Sequence, residues 1–304
     1  MLGSRVATGL VLIALFGGML YLDSLWPPVY PFWLLAVVAA VLTSTRELVN
    51  LMQLTAARPS PGTVLGGCLA IVAANWLPHL MMSSAGARLS EAMSVLESCS
   101  PLDALVWPLW VFVAVVMVSF IGAGLQFQRP GGTVAVIAGT VLAVAYIGLL
   151  GSFLIQHRWL LEPAQSWLPL VLLVATCKGS DIGAYTLGRL AGRHKLWPQL
   201  SPNKTIEGAA GGLAFAILAS ILTLVLARAF TGVERMSLLE ASGYGLGVGL
   251  VAQLGDLMES LIKRDCAAKD ASDALPGFGG VLDVIDSILF AGPVSYAYWL
   301  LYGA

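Results

Sequence analysis

Residues 255–287 read GDLMESLIKRDCAAKDASDALPGFGGVLDVIDS. Asp256, Glu259, Lys263, Arg264, Asp265, Lys269, Asp270, Asp273, Asp283 and Asp286 all fall in this one stretch. The rest of the chain is apolar. Of its 304 residues 58% are hydrophobic and only 11% charged, and the mean hydropathy is +0.85. A soluble domain carries about 25% charged residues. So large a deficit leaves too little polar surface to coat a soluble fold, and the chain reads as an all-α, polytopic integral membrane protein. Its net charge of −1 argues against a nucleic-acid partner, which calls for a basic surface. Cys68, Cys99, Cys177 and Cys266 lie far apart without a CxxC pair, which argues against a disulfide framework or a zinc site. His79, His157 and His194 are equally scattered.

A helix needs about 20 mostly apolar residues to cross a bilayer. Working outward from the charged stretch, that rule predicts about nine transmembrane helices, at roughly 6–23, 31–49, 62–82, 104–124, 132–155, 167–187, 207–229, 241–257 and 287–303. The first follows a single Arg5 and ends at Asp23, Trp26 and Pro27 rather than at a small-residue cleavage site, so it reads as a retained helix and not a signal peptide. The second ends at Arg46-Glu47, which is placed at the membrane interface. The eighth is glycine-rich (GYGLGVGL), which suits close helix packing. Residues 83–103 form an acidic loop with room for a short surface helix and no evident chemistry. Without a repeat or a linker the chain reads as one continuous membrane domain. Residues 1–165 supply scaffold and lipid-facing helices, and residues 166–304 supply helices with catalytic loops.

Lys and Arg set orientation through their excess in cytoplasmic loops. With the N-terminus inside, Arg5, Arg46, Arg58, Arg129, Arg189, Arg193, Lys195, Lys204, Lys263, Arg264 and Lys269 are cytoplasmic, against Arg88, Arg158, Arg228 and Arg235 outside. This places the polar loops 188–206 and 258–286 in the cytoplasm, where nucleotides are.

Lys178 and Asp181 are three apart and share one face of the sixth span. The pair fits a self-neutralising packing contact and the mouth of a site equally well. In the following loop, Ser201-Pro202-Asn203-Lys204-Thr205 before Glu207-Gly208 fits a phosphate-handling turn: two hydroxyls, a cation and the N-terminus of a helix. It fits an ordinary helix start capped by Thr205 as well. No Walker A pattern is present.

In the charged stretch, Asp256 and Glu259 are three apart at the end of span eight, and Asp283 and Asp286 are three apart at the start of span nine. Between them lie Lys263, Arg264, Lys269, Asp270 and the turn Pro276-Gly277-Phe278-Gly279-Gly280. Two carboxylate pairs around a basic, glycine-rich turn suit Mg²⁺ and a triphosphate. Mg²⁺ takes one or two carboxylates plus phosphate oxygens, cations neutralise the remaining phosphate charge, and glycines let backbone N–H groups approach an anion. The alternative is a solvated loop whose charges pair with one another. Acids at membrane level on both flanking helices favour the first reading.

At these residues the sequence resembles the phosphatidate cytidylyltransferase (CDP-diacylglycerol synthase) family. The family's motif S-x-x-K-R, K-D, P-G-H-G-G, D-R-x-D stands here as Ser260-x-x-Lys263-Arg264, Lys269-Asp270, Pro276-Gly277-Phe278-Gly279-Gly280 and Asp283-Val284-x-Asp286. GDLMES, SPNKTIEG and DIGAYTLGRLAGRHKL follow the family too, so the likeness covers about residues 175–290. Two positions depart from it: Phe278 stands for a His and Val284 for an Arg. The resemblance implies transfer of a cytidylyl group from CTP to phosphatidate, giving CDP-diacylglycerol and pyrophosphate for phospholipid synthesis, in the inner membrane of a bacterium and as a homodimer among membrane lipids. It implies a catalytic set of Asp256, Asp283, Lys263, Lys269 and Asp270. Asp256 and Asp283 would hold Mg²⁺ with Asp286 and Glu259 in support, leaving room for a second cation. Ser201, Lys204, Thr205, Arg264, Gly279 and Gly280 would bind substrate. Competing readings are a transporter built on Lys178 and Asp181, a non-catalytic lipid-binding relative, and the same chemistry on another lipid phosphate. Asp283→Asn is expected to abolish Mg²⁺-dependent pyrophosphate release; unchanged turnover in that variant would remove Asp283 from the metal site.

Overall fold

The computed structural model describes residues 2–84, 102–275, 277 and 279–303, with the side chains of 2–7 and 81–84 excepted. Most of the 83–103 loop, together with Pro276 and Phe278, lies outside the described residues. The α-helices among the described residues are α1 (Leu2–Asp23), α2 (Pro31–Met52), α3 (Pro61–Ser84), α4 (Val106–Leu125), α5 (Thr133–Val144), α6 (Leu150–Gln156), α7 (Leu168–Ala191), α8 (Ile206–Thr231), α9 (Leu238–Asp265) and α10 (Leu282–Tyr302). A π-type turn, Ala145–Leu149, joins α5 to α6, so the two make one span from Thr133 to Trp159. Among the described residues eight helical segments are long and apolar enough to cross a membrane, and α1 adds a shorter apolar run, Thr8–Asp23. The chain is therefore an all-α polytopic membrane protein. The strands among the described residues form one two-stranded antiparallel hairpin, β1 (Lys195–Trp197) and β2 (Ser201–Thr205).

Several helices outrun the expected spans. α2 continues to Met52, so Glu47 lies within it and is buried by the protein, 7% exposed. α9 runs to Asp265 and α10 starts at Leu282, so the second polar segment shrinks to 266–281. Helix-forming residues carry both helices past the apolar window: polar side chains are tolerated once the helix leaves the hydrocarbon.

The chain divides into two compact units: Met1–Trp159 with Asp270–Val284, and Leu160–Lys269 with Ile285–Ala304. In the first, the fully buried Asp23 ends α1 and caps α2, accepting from the N–H groups of Phe32 (2.9 Å) and Trp33 (2.8 Å). Arg158, also fully buried, lies 4.2 Å over the Tyr30 ring and donates to the Leu20 carbonyl. The scaffold helices are not uniformly apolar inside. Asn75 donates to Ser152 (2.9 Å), Gln156 donates to Asn75 (2.9 Å), and His79 meets Gln156 (3.0 Å) while stacking on Trp159. Polar groups at membrane depth have to satisfy each other, which is what this chain of contacts does.

In the second unit, α7 packs antiparallel to α8, α8 to α9, and α9 to the greater part of α10. The antiparallel sense follows from the contact registers: Gly179 with Ala219 and Gly183 with Gly211; Gly245 with Ser220 and Gly249 with Ala216; Gly255 with Phe290 and Gly243 with Tyr298. Small residues make this possible. A Cβ at Gly245 would lie 2.5 Å from Ser220 Oγ and 2.6 Å from Ile217 Cα. Close backbone approach of this kind drives helix association where lipid offers no hydrophobic advantage. Ser237 and Glu240 form a capping box that starts α9.

Asp23→Ala should remove both acceptors at the α2 N-terminus and cost about 1–2 kcal/mol, with Asp23→Asn costing less. Thermal unfolding of the detergent-solubilised protein checks the order.

Candidate functional site

Helical spacing puts Asp256, Glu259 and Lys263 on one face near the end of α9. Gly255 lets α10 come close: a Cβ there would lie 2.7 Å from Phe290 Cβ and 3.1 Å from the Asp286 carbonyl oxygen. That approach brings Asp286 to the α9 acids. One carboxylate oxygen from each of Asp256, Glu259 and Asp286 lies within 4.8 Å of the others. Glu259 and Asp286 are buried, 1% and 5% exposed, whereas Asp256 is half-buried and open to water.

Three carboxylates this close repel one another unless they are neutralised. Lysines pair with two of them, and a third lysine stands near the last. Lys204 of β2 pairs with Asp256 at 2.7 Å, and Lys263 pairs with Glu259 one turn back along α9. Lys178 of α7 pairs with Asp181 at 2.9 Å, and both stand close enough to Asp286 to act on its charge. Lys178 and Asp181 thus stand beside the acids, a placement that their three-residue spacing alone left open.

The hairpin holds Lys204 in place. Its base is closed by Glu207, which accepts from the N–H groups of Arg193 (3.0 Å) and His194 (3.2 Å) and from His194 Nδ1 (2.6 Å). Thr205 caps α8, its hydroxyl accepting from Gly208 N–H at 3.1 Å, and it is buried. Ser201 pairs with Trp197 across the hairpin. Arg264 donates to the carbonyls of Leu200 (3.3 Å) and Ala268 (2.9 Å), tying the hairpin end to the turn after α9. Lys269 is exposed. Just past α9, burial raises the Cys266 thiol above its usual range, which keeps it protonated and poorly nucleophilic.

The remaining sequence candidates lie in the loop of the first unit. Asp283 Oδ2 accepts from the N–H groups of Ala271 (2.9 Å) and Gly280 (2.6 Å). Gly279 N–H donates to Leu275, whose own N–H donates back to Gly279. The N–H groups of Gly279 and Gly280 therefore donate within the loop, and what the glycines supply there is conformation: Gly279 has φ +90°, where a Cβ would lie 2.5 Å from Asp283 Oδ2. Asp270 is exposed at the start of this loop. The acid group found among the described residues consists of Asp256, Glu259 and Asp286, whereas the Asp283 carboxylate accepts backbone hydrogen bonds of the loop.

Sequence reading gave neither Glu47 nor Glu207 a role in the site. Both hold loops by accepting backbone N–H groups. The available signal was an acid in an otherwise apolar span for Glu47, and an acid two residues past an N-cap for Glu207.

The chain belongs to the cytidylyltransferase family, whose model matches residues 3–302. It is similar to the phosphatidate cytidylyltransferase of Bacillus subtilis (strain 168), at 40% identity over 156 residues, which are 51% of this chain and 55% of that protein. It is similar also to the proteins of that name from Staphylococcus aureus (strain COL) and Staphylococcus epidermidis. These are 38% and 40% identical over 154 residues, with the same 51% and 55% coverage. The chain spans about half the length of the curated relatives it matches.

Glu207→Ala should loosen the hairpin base. Hydrogen exchange in residues 193–205 is expected to rise by about tenfold or more, while the ends of α9 and α10 stay protected.

Proposed function

We propose that this protein transfers the cytidylyl group of CTP to phosphatidate, forming CDP-diacylglycerol and pyrophosphate. The observation that carries the proposal is the carboxylate group of Asp256, Glu259 and Asp286 set among Lys178, Lys204 and Lys263, in a chain of the cytidylyltransferase family. A phosphate monoester of the lipid attacks the α-phosphorus of CTP, and the bond to the β-phosphate oxygen breaks to release pyrophosphate. The attacking phosphate is already anionic near neutral pH, so positioning and charge neutralisation supply the catalysis.

The donor set fits Mg²⁺: three hard carboxylates, one of them open to water. Asp256, Glu259 and Asp286 would hold the ion, which when bound neutralises triphosphate charge. The same donor set leaves room for a second cation. Lys204 and Lys263 are placed to exchange a carboxylate partner for a phosphate oxygen. Arg264 and Lys269 add cationic charge at the same end of α9. Ser201 and Thr205 support this by shaping the hairpin that carries Lys204. Asp270, Asp283, Gly279 and Gly280 shape the loop before α10. In this reading the site faces the cytoplasm of a bacterium, from the inner membrane, with the N-terminus on the same side, and the active form is a homodimer.

The test is pyrophosphate release by the purified protein with CTP, Mg²⁺ and phosphatidate, omitting each in turn. Release should require all three, and Asp286→Asn and Glu259→Gln should each lower it by about 10²–10³-fold. Phosphatidate binding without CTP turnover would instead identify a lipid-binding relative. Solute flux in proteoliposomes without CTP consumption would identify a transporter.

A further inference from the structure

Glu47 lies in α2, more than 200 residues before the glycine-rich loop, yet its carboxylate holds that loop at both ends. Oε1 accepts from Ser272 Oγ at 2.6 Å and from Val281 N–H at 3.0 Å, and Oε2 accepts from Leu282 N–H at 2.8 Å. Val281 and Leu282 sit where α10 begins, among the N–H groups that a helix start leaves without an internal partner. A carboxylate is the favoured acceptor there, since it also meets the positive end of the helix dipole.

The cradle is shaped for this group. A Cβ built on Gly280 would lie 2.7 Å from Cδ, Oε1 and Oε2 of Glu47 alike, so the glycine is what admits the carboxylate to the backbone. Asp283 makes a second staple one residue further in, from Ala271 to Gly280. The Leu275–Gly279 bridge closes the tip. Among the described residues of the loop, Ser272 and Leu275 are partly exposed and Asp273, Ala274 and Gly277 are exposed. Hydrogen bonds to two carboxylates hold its described residues, and of these two Glu47 comes from outside the loop and the helix it leads into. A loop held this way would open locally if the outside acceptor were lost.

We infer that Glu47 is a positioning residue: it sets the conformation of the 270–284 loop through Gly280 and the start of α10, and through that loop it supports the proposed transfer reaction. The role in turnover rests on the proposed function; the role in holding the loop does not, and the two are tested apart.

The experiment is a double-mutant cycle on the full-length purified protein with Glu47→Ala, Gly280→Ala and both together. Hydrogen exchange of residues 271–283 reads the loop. Pyrophosphate release reads turnover, and Mn²⁺ binding followed by electron paramagnetic resonance reads the acid group. Each single variant should speed exchange in the loop by about tenfold or more. The double variant should be no worse than Glu47→Ala alone, because the added methyl then meets no carboxylate. kcat should fall by about ten- to a hundredfold in each single variant, with Mn²⁺ affinity held within about twofold of wild type. If Glu47→Ala does not fold, Gly280→Ala, which leaves Glu47 in place, carries the same expectation. Multiplicative losses in the double variant, or loop exchange unchanged in the singles, would overturn the inference. A fall in Mn²⁺ affinity in step with kcat would overturn it too, by placing Glu47 in the metal site. If the wild-type protein releases no pyrophosphate, the proposed reaction fails while the exchange cycle still decides whether Glu47 holds the loop.

Discussion

Three carboxylates within 4.8 Å of one another, two of them buried at the end of transmembrane helices, are the constraint around which the second unit is arranged. Placed in a low dielectric without counter-charge, such a group would be expelled or protonated. The protein answers with lysines drawn from α7, β2 and α9, each brought in by a different device. Lys178 rides on a helix whose glycines let it pack closely on α8. Lys204 is carried by a hairpin closed by Glu207 and followed at once by the Thr205 cap. Lys263 lies one turn from its partner on the same helix. The small residues thus do more than pack the bundle: Gly255 lets α10 come close enough for Asp286 to join the acids of α9.

This arrangement also explains why the chemistry proposed for the site needs no strong base or covalent nucleophile. The groups assembled are ionic. Acids can take a divalent cation, and lysines can change partner from carboxylate to phosphate. Cys266, the thiol near the site, is buried and held protonated. What the site offers is placement of charge, and that is the demand of phosphoryl-group chemistry between two anions.

Much of this was legible from the chain alone, for reasons that can be traced to particular residues. The bilayer imposes about 20 apolar residues on each crossing, so the helices showed in hydropathy, and the charge density of 255–287 showed where the polar end of the bundle lay. Helical spacing placed Asp256 with Glu259 and Asp283 with Asp286, but spacing treats the members of a pair alike. In the structure Asp286 joins the α9 acids, while Asp283, in the first turn of α10, accepts the N–H groups of its own loop. Glycines 279 and 280 suggested an anion-binding turn; in the structure the Gly279 N–H donates to the Leu275 carbonyl and the Gly280 N–H to the Asp283 carboxylate. The hold of Glu47 on the loop was not legible, because its partners, Ser272, Val281 and Leu282, are more than 200 residues away and no local pattern announces them. The even choice at Thr205 between helix cap and phosphate contact is met by an N-cap hydrogen bond.

The measurement that tests the central claim most directly is Mn²⁺ titration of the purified wild-type protein and its Asp286→Asn variant, read by electron paramagnetic resonance. The account predicts saturable binding in the wild type that Mg²⁺ competes away, and its loss in the variant. Equal binding in both, or none in the wild type, would contradict a metal site made by Asp256, Glu259 and Asp286.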